Sequence, residues 1–295
     1  MPASGAGSPV ARLPLYSGVA DATASGVIRR YSTSFGAASR LLGPGVRQHV
    51  ENVYALVRVA DEIVDGAAAE AGLDPDAARA VLDGYEAEAE AATRRGYSAD
   101  LVVHAFACTA REVGIGTELT APFFRSMRTD VDRSSYDPAG FAEYVHGSAE
   151  VVGLMCLRAF VQELPDAEAA YERMSPGARA LGAAFQKVNF LRDLRADVQE
   201  LGRSYFPGID VTRLTEADKL RLVDDIDADL AAAAAVIPML PSSSRRAVAL
   251  AHALFAELNR RLRAAPATEL LQRRVRVPDP VKLRLGLLAA AGRLA

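Results

Sequence analysis

The sequence predicts an all-α chain, and three observations carry that expectation. Alanine and leucine are abundant while β-branched runs are few, which favours helix. No segment alternates apolar and polar residues with a period of two, and no Asn-Gly hairpin signal occurs. Apolar residues recur instead at three- and four-residue spacing, in segments punctuated by Gly and Pro.

The elements follow in order. Met1 to Pro14 is rich in Gly, Ser, Pro and Ala and lacks a charged stretch followed by an apolar one. Residues 1–20 therefore read as a flexible N-terminal tail, not a signal peptide. Asp21 to Leu42 reads as the first helix, stopped by Gly43-Pro44-Gly45. Val46 to Asp65 reads as the second, with Gly66 after it. Asp74 is placed to cap a third helix that has Pro75 at its first position. Helices are expected over Ala99 to Val113, ahead of Gly114-Ile115-Gly116, and over Thr120 to Arg133. A turn at Ser134 to Pro138 leads into one long helix, Ala139 to Leu164, with Gly147 and Gly153 inside it. Gly177 to Leu201 follows, then a loop over Gly202 to Gly208. Glu216 to Ile237, Ser242 to Ala264 and Pro280 to Leu294 complete the series. No connection looks like a domain linker and no repeat is present. The expectation is a single all-α domain over residues 21–295, its helices surrounding a central cavity.

The formal net charge is −3 and no Lys/Arg block stands out, which argues against nucleic acid as a partner. Cys108 and Cys156 lack metal-ligand spacing and read as buried, reduced thiols, as in a reducing compartment. No apolar run reaches the roughly 20 residues of a membrane span. The longest, Leu230 to Leu240, is short and contains Pro238. A soluble cytoplasmic protein is expected, with room for peripheral contact with a membrane.

Two stretches carry chemistry. In the first, Tyr54, Arg58, Asp61 and Asp65 fall along one helical stripe at spacings of four, three and four. In the second, Gln186, Asn189, Asp193 and Asp197 do the same, at three, four and four. Their neighbours are apolar: Val57, Val59, Ile63 and Val64 in one, Phe185, Val188, Phe190, Leu191 and Leu194 in the other. Stacked acids repel by about a few tenths of a kcal/mol per pair when exposed. Half-buried, they call for a neutralising cation. A lone D-x-x-x-D is usually a solvated face. Two of them opposed would form a magnesium cage for a polyphosphate, since magnesium takes carboxylate and phosphate oxygens. Arg58, Arg192 and Arg203 could add donors to phosphate.

The residues around these stripes resemble the squalene/phytoene synthase family. Tyr54 to Asp65 (YALVRVADEIVD) is similar to the family's Y-x-x-x-R-x-x-D-x-x-x-D. Gln186 to Asp193 with Asp197, then Gly202-Arg203-Ser204-Tyr205-Phe206-Pro207, is similar to Q-x-x-N-x-x-R-D-x-x-x-D followed by G-R-x-Y-x-P. Tyr31-Ser32-Thr33-Ser34-Phe35 resembles the S-x-S-F segment, Met127 and Asp130 match M-x-x-D, and Tyr144 to Gly153 resembles the tyrosine-headed helix of the family. The likeness runs from about Asp21 to Lys282.

The resemblance implies an isoprenoid-synthase fold and head-to-head (1′-1) condensation of two prenyl diphosphates through a cyclopropyl diphosphate. It implies magnesium, with manganese as a substitute, at Asp61, Asp65, Asn189, Asp193 and Asp197. Asp61, Asp65, Asp193, Asp197 and Tyr205 are the implied catalytic set. Substrate would meet Tyr31, Ser32, Ser34, Phe35, Tyr54, Arg58, Met127, Asp130, Tyr144, Gln186, Asn189 and Arg203. Phe35, Tyr144 and Phe190 are candidates to stabilise a carbocation through their ring faces, worth about 2 kcal/mol when desolvated.

The wording of SMRTD, LGAAFQKVNFLRDL and LGRSYFP looks most like bacterial phytoene synthases. The substrate expected is geranylgeranyl diphosphate, the product phytoene, with no need for NADPH and with a carotenoid desaturase as a downstream partner. The alternatives are farnesyl diphosphate condensation to squalene or dehydrosqualene and, more remotely, an inactive relative serving as an assembly factor. Two departures stand out. Tyr31 and Thr33 replace the His and Lys of the frequent H-S-K-S-F, and Phe255 stands where a late helical tyrosine is common. His49, His104, His146 and His252 match no motif and are expected to be structural.

Overall fold

The computed structural model describes residues 11–32, 34–132, 135–199 and 204–294. Among them are fourteen α-helices: α1 (Arg12–Tyr31), α2 (Ser34–Ser39), α3 (Pro44–Asp65), α4 (Ala67–Glu70), α5 (Pro75–Arg95), α6 (Leu101–Val113), α7 (Thr117–Asp132), α8 (Pro138–Val145), α9 (Val151–Val161), α10 (Ala167–Gln199), α11 (Glu216–Val236), α12 (Ser242–Ala264), α13 (Ala267–Leu270) and α14 (Asp279–Ala290). No strand forms among the described residues. An isolated bridge joins Ser135 to Ser204. No helix is long and apolar enough to cross a membrane among the described residues.

Local signals set most helix ends. The carboxylates of Asp74, Asp100 and Asp137 each accept the N–H three residues on, at 2.8, 2.9 and 2.7 Å. Each satisfies one of the donors orphaned in a first turn. Gly96 and Gly114 close α5 and α6 in the left-handed region, at φ 81° and 76°. Lys219 on α11 is fully buried. Its ammonium donates to Arg263 O at 2.9 Å and Ala265 O at 2.5 Å and pairs with Glu216. A cation at the C-terminal end of α12 is favoured by the helix dipole.

Four expectations need correction. The first helix begins at Arg12, so residues 12–20 of the expected tail are helical, and Ala20 is fully buried. The helix expected from Asp21 to Leu42 breaks after Tyr31. Ser32 is extended, and its hydroxyl accepts the Phe35 N–H at 3.1 Å, which starts α2. The helix expected over Ala139 to Leu164 contains a π-helical turn at His146–Glu150 and ends at Val161. The helix expected from Gly177 begins ten residues earlier and runs through Pro176.

Two large apolar clusters result. One gathers α3, α5, α6, α7 and α9 around Leu56, Phe106, Phe123 and Phe124. The other gathers α8, α10, α11 and α12 around Tyr144, Phe190, Leu191 and Ile226. The α8–α9 run joins them, lying against α7 on one side and α10 on the other. Glycine allows that contact. A Cβ on Gly182 would stand 2.4 Å from Ala149 O, and one on Gly147 2.3 Å from Pro122 O. Backbone meets backbone at both, and at Gly147 the Ser126 hydroxyl crowds the same space.

Candidate active site

The first acid stripe lies on α3. Arg58 donates to Glu62 one turn on and stands 3.8 Å from Asp61 Oδ2. Its guanidinium lies 4.5 Å from the Tyr31 ring centroid, a cation–π contact. Burial alone would lower the Arg58 pKa, but the bond to Glu62 and the charge of Asp61 outweigh it and raise the net value. Arg58 Nε is buried and has no hydrogen-bond partner among the described residues, so the fork keeps a donor for another anion. Tyr54, one turn earlier, is half-buried. Burial raises its pKa, offset in part by Arg58 and by a hydrogen bond with Ser32. Tyr31, Ser32 and Tyr54 therefore gather round Arg58. Glu62 was quoted in the motif without a role, although its i,i+4 spacing from Arg58 signals the pairing.

The second stripe lies on α10. Asp193 is held by two arginine forks. Arg192 gives Nε–Oδ1 at 3.0 Å and Nη2–Oδ2 at 2.5 Å. Arg274 gives Nε–Oδ1 at 2.6 Å and Nη2–Oδ2 at 3.1 Å. Arg274 comes from the segment between α13 and α14, which Arg195 ties to α10 by donating to Gln272 O at 2.8 Å. Burial and repulsion by Arg192 lower the Arg274 pKa, with Asp193 pulling the other way. Two guanidinium groups on one carboxylate leave a positive excess suited to an anion. Arg274 was not expected at the site; its only signal in the sequence is the base-rich Arg273-Arg274-Val275-Arg276.

Aromatic faces stand beside the second stripe. Phe190 and Tyr205 stack at 3.9 Å and 12°, and Tyr136 stacks on Tyr205 at 5.8 Å and 14°. Tyr144 lies 5.5 Å from Tyr205 and 5.9 Å from Phe190. Its hydroxyl donates to Asp130 Oδ2 at 2.9 Å. Burial, then the Asp130 charge, pushes the Tyr144 phenol well above its ordinary value. A second group joins Phe35, Phe185 and Phe255, with Phe185 and Phe255 stacked at 3.9 Å and Phe35 5.4 Å from Phe185. Tyr136, Phe185 and Phe255 had no assigned role at either group. Phe185 and Phe255 are apolar-periodic and indistinguishable in sequence from core, and Tyr136 sits in the turn ahead of α8.

Among the other expected site residues, Gln186 and Asn189 are partly exposed on α10, whereas Met127 is buried in the α3–α7 core. The side chains of Ser34, Asp65 and Asp197, and the whole of Arg203, lie outside the described residues.

Comparison with known proteins decides the family. A profile of squalene/phytoene synthase matches residues 28–280. The chain belongs to the squalene/phytoene synthase family. It is 30% identical over 191 residues to a 15-cis-phytoene synthase of Paracoccus sp., covering 63% of this chain and 59% of that protein. It is 31% identical over 209 residues to the chloroplastic phytoene synthase 3 of Zea mays, covering 68% of this chain and 46% of the maize protein. The chain thus spans about half the length of these two relatives. A phytoene synthase of Mycobacterium tuberculosis is 28% identical over 286 residues, 90% of this chain and 88% of that one.

A solved dehydrosqualene synthase with bound ligand superposes with a TM-score of 0.75 at 20% identity, over 94% of this chain and 98% of that chain. A squalene synthase from Alicyclobacillus acidocaldarius gives 0.72 at 21%, over 86% and 97%. At such identities the likeness speaks to fold, and it bears out the isoprenoid-synthase fold.

For this squalene/phytoene synthase family member, the departure at Phe255 has a packing counterpart. Its ring fills the stack between Phe185 and Phe35. Tyr31, at the other departure, supplies the ring under Arg58. The four histidines all have partners. His104, for example, meets Ser17 Oγ at 3.0 Å and accepts the Ser98 N–H at 3.3 Å. Both cysteines are free and partly buried, and burial pushes the Cys156 thiol up to about 12.

The ligand candidates on the two stripes, Asp61, Asp65, Asn189, Asp193 and Asp197, offer only carboxylate and amide oxygens, a set that fits a hard divalent cation. Among the described residues no three acids, histidines or cysteines form one cluster. The described motif acids Asp61 and Asp193 each lie beside arginine.

Proposed function

We propose that the protein catalyses the magnesium-dependent, head-to-head condensation of two geranylgeranyl diphosphates to phytoene. One observation carries the reading. On α10, a carboxylate gripped by two arginines lies three residues from the stacked Phe190–Tyr205 pair. Ionisation of a prenyl diphosphate needs both features together, a place for the leaving anion and a water-poor aromatic surface for the allylic cation. Asp61, Asp65, Asn189, Asp193 and Asp197 would hold magnesium, or manganese in its place. The ion would neutralise diphosphate and make it a better leaving group.

The chain's own residues do the rest. Arg58 and Arg274 orient diphosphate oxygens through their forks. Phe190, Tyr205 and Tyr144 face the cation without offering a strong nucleophile. The second substrate's double bond attacks the allylic cation, and loss of a first proton to the released diphosphate closes the ring of a cyclopropyl diphosphate, which sheds its own diphosphate and rearranges. Loss of a proton ends the sequence, so no hydride donor is needed. A desaturase of the phytoene type would consume the product. The retained acids speak against an inactive assembly factor.

The test is incubation with magnesium and either the C15 or the C20 diphosphate, with and without NADPH, followed by product mass. A C40 product formed without NADPH is expected. A C30 product alone overturns the chain-length assignment and favours squalene or dehydrosqualene. Asp193→Ala should lose diphosphate release while keeping its helical circular dichroism; full activity in that variant sinks the mechanism.

A further inference from the structure

The C-terminal helix is apolar on both sides, and among the described residues only one side has a partner. Leu285 and Ala289 on α14 pack against Ala38, Leu250, Leu254 and Phe185. Leu283 and Leu287, one turn apart on the opposite side, are 66% and 64% exposed, the two most exposed of the chain's large hydrophobic side chains among the described residues. At roughly 100° per residue, Pro280 and Ala290 join them on one outer strip. Helices apolar all round are normally covered.

Charge indicates what covers this one. From Gln272 to the end of the chain there are six bases and one acid, in a protein whose net charge is −3. Arg273, Arg274 and Lys282 are paired, with Glu269, Asp193 and Asp279. Arg276, Arg284 and Arg293 are exposed and have no acid partner among the described residues. On the helical wheel Arg284 lies to one side of the leucine strip and Lys282 to the other, and Arg293 follows just past the helix end. An apolar strip edged by cations is the pattern of a helix lying in a lipid headgroup layer, its long basic side chains reaching back toward phosphate. A second copy of the chain fits poorly, because a symmetric contact through this strip would bring the same unpaired arginines together.

We propose that the outer face of α14 docks the protein onto an anionic lipid surface. The surface lies close to the candidate site. The inner face of α14 joins an apolar cluster that Phe185 also borders, Phe185 stacks on Phe255 beside Phe35, and the segment ahead of α14 carries Arg274 to Asp193. Leu283 and Leu287 thus lie on the outer side of the helix whose inner side helps close that cluster. Docking concerns the surface alone and stands or falls apart from the reaction assigned to the site.

The experiment is co-sedimentation of the full chain with vesicles of phosphatidylcholine alone and of equimolar phosphatidylcholine and phosphatidylglycerol, needing no substrate. Binding to the anionic vesicles, weakened by salt, is expected. Leu283→Glu/Leu287→Glu changes only exposed positions and should abolish it with circular dichroism unchanged. Arg276→Gln/Arg284→Gln/Arg293→Gln should weaken it on the order of a hundredfold. Equal binding by the Leu→Glu variant overturns the proposal, as does loss of binding in Leu15→Glu/Val19→Glu on α1 instead. No binding to anionic vesicles also overturns it. So does a dimer in light scattering that the Leu→Glu variant disperses, which would make the face an interface between copies.

Discussion

Arg274→Gln separates the charge at the second acid face from the scaffold that carries it. Asp193 receives four contacts of 3.1 Å or less, two from Arg192 and two from Arg274. Removing Arg274 leaves the Arg192 fork in place, so the carboxylate stays paired. The local charge falls from a net excess of one positive to zero. A unit charge about 6 Å from a diphosphate oxygen, at an effective dielectric of about 20, contributes about 3 kcal/mol. Arg274 is about half exposed, at 49% of its side chain, and water screens part of that. A loss of about 1.5–3 kcal/mol is therefore expected, ten- to hundredfold in kcat/KM.

Stability should change little, by under about 1 kcal/mol, because a half-exposed ion pair contributes no more than that. Arg274→Lys should recover only part of the activity, since a point charge cannot reproduce the fork. The assay is steady-state diphosphate release with varied prenyl diphosphate, beside a thermal melt of the same sample. A kcat/KM within twofold of the parent would show that Arg274 only anchors the C-terminal segment. A large drop in melting temperature with normal kcat/KM would argue the same.

Two further outcomes follow from packing and protonation. Gly182→Ala places a Cβ 2.4 Å from a carbonyl oxygen that needs about 3.3 Å, so the π-helical turn ahead of α9 must part from α10 by roughly 1 Å. A loss of about 1–3 kcal/mol is expected in denaturant unfolding. Gly84→Ala, on the open side of α5 with nothing within 4 Å, should stabilise by about 0.5–1 kcal/mol. Equal effects from the two would contradict the crossing geometry. Burial lowers the His104 pKa, with Asp21 opposing. The unfolded chain therefore takes up the proton first as pH falls. The stability that neutral His104 contributes is present above about 6.5, the unfolded value, and is lost as pH falls through the depressed folded one. His104→Gln should flatten urea midpoints across that window, and an unchanged slope would remove His104 as the source.

Much of the fold was legible because helix boundaries are written locally. Asp74-Pro75, Asp137-Pro138 and Gly114 act through hydrogen bonds within four residues, and each end fell where these residues place it. The missed boundaries are those where the same residue types serve another purpose. Pro14 reads as tail, yet in a first turn its missing N–H costs nothing, and α1 includes it. Ser175-Pro176-Gly177 reads as a stop, yet α10 passes through it. Gly177 is there for close packing, since a Cβ would meet Val236 at 2.2 Å. The break at Ser32 depends on one hydroxyl preferring the Phe35 N–H to solvent, which no periodicity reveals.

The candidate site divides in the same way. The stripes Tyr54–Arg58–Asp61 and Gln186–Asn189–Asp193 are legible because one helix turn places their members together. The partner that sets the charge of the second stripe is 81 residues away in sequence. An acid stripe alone suggests a cation site. With Arg192 and Arg274 on it, the Asp193 carboxylate is already neutralised, and these three groups together carry one positive charge in excess. A metal ion there would meet that excess unless it arrived with an anion carrying more than one negative charge. A diphosphate is such an anion, and two arginine forks with a carboxylate between them can take up ion and diphosphate together with little net charge left at this partly buried site. The acids and the arginines are thus one device. The order expected of it is that magnesium binds weakly alone and tightly with diphosphate, which calorimetry with magnesium, with diphosphate and with both would read directly.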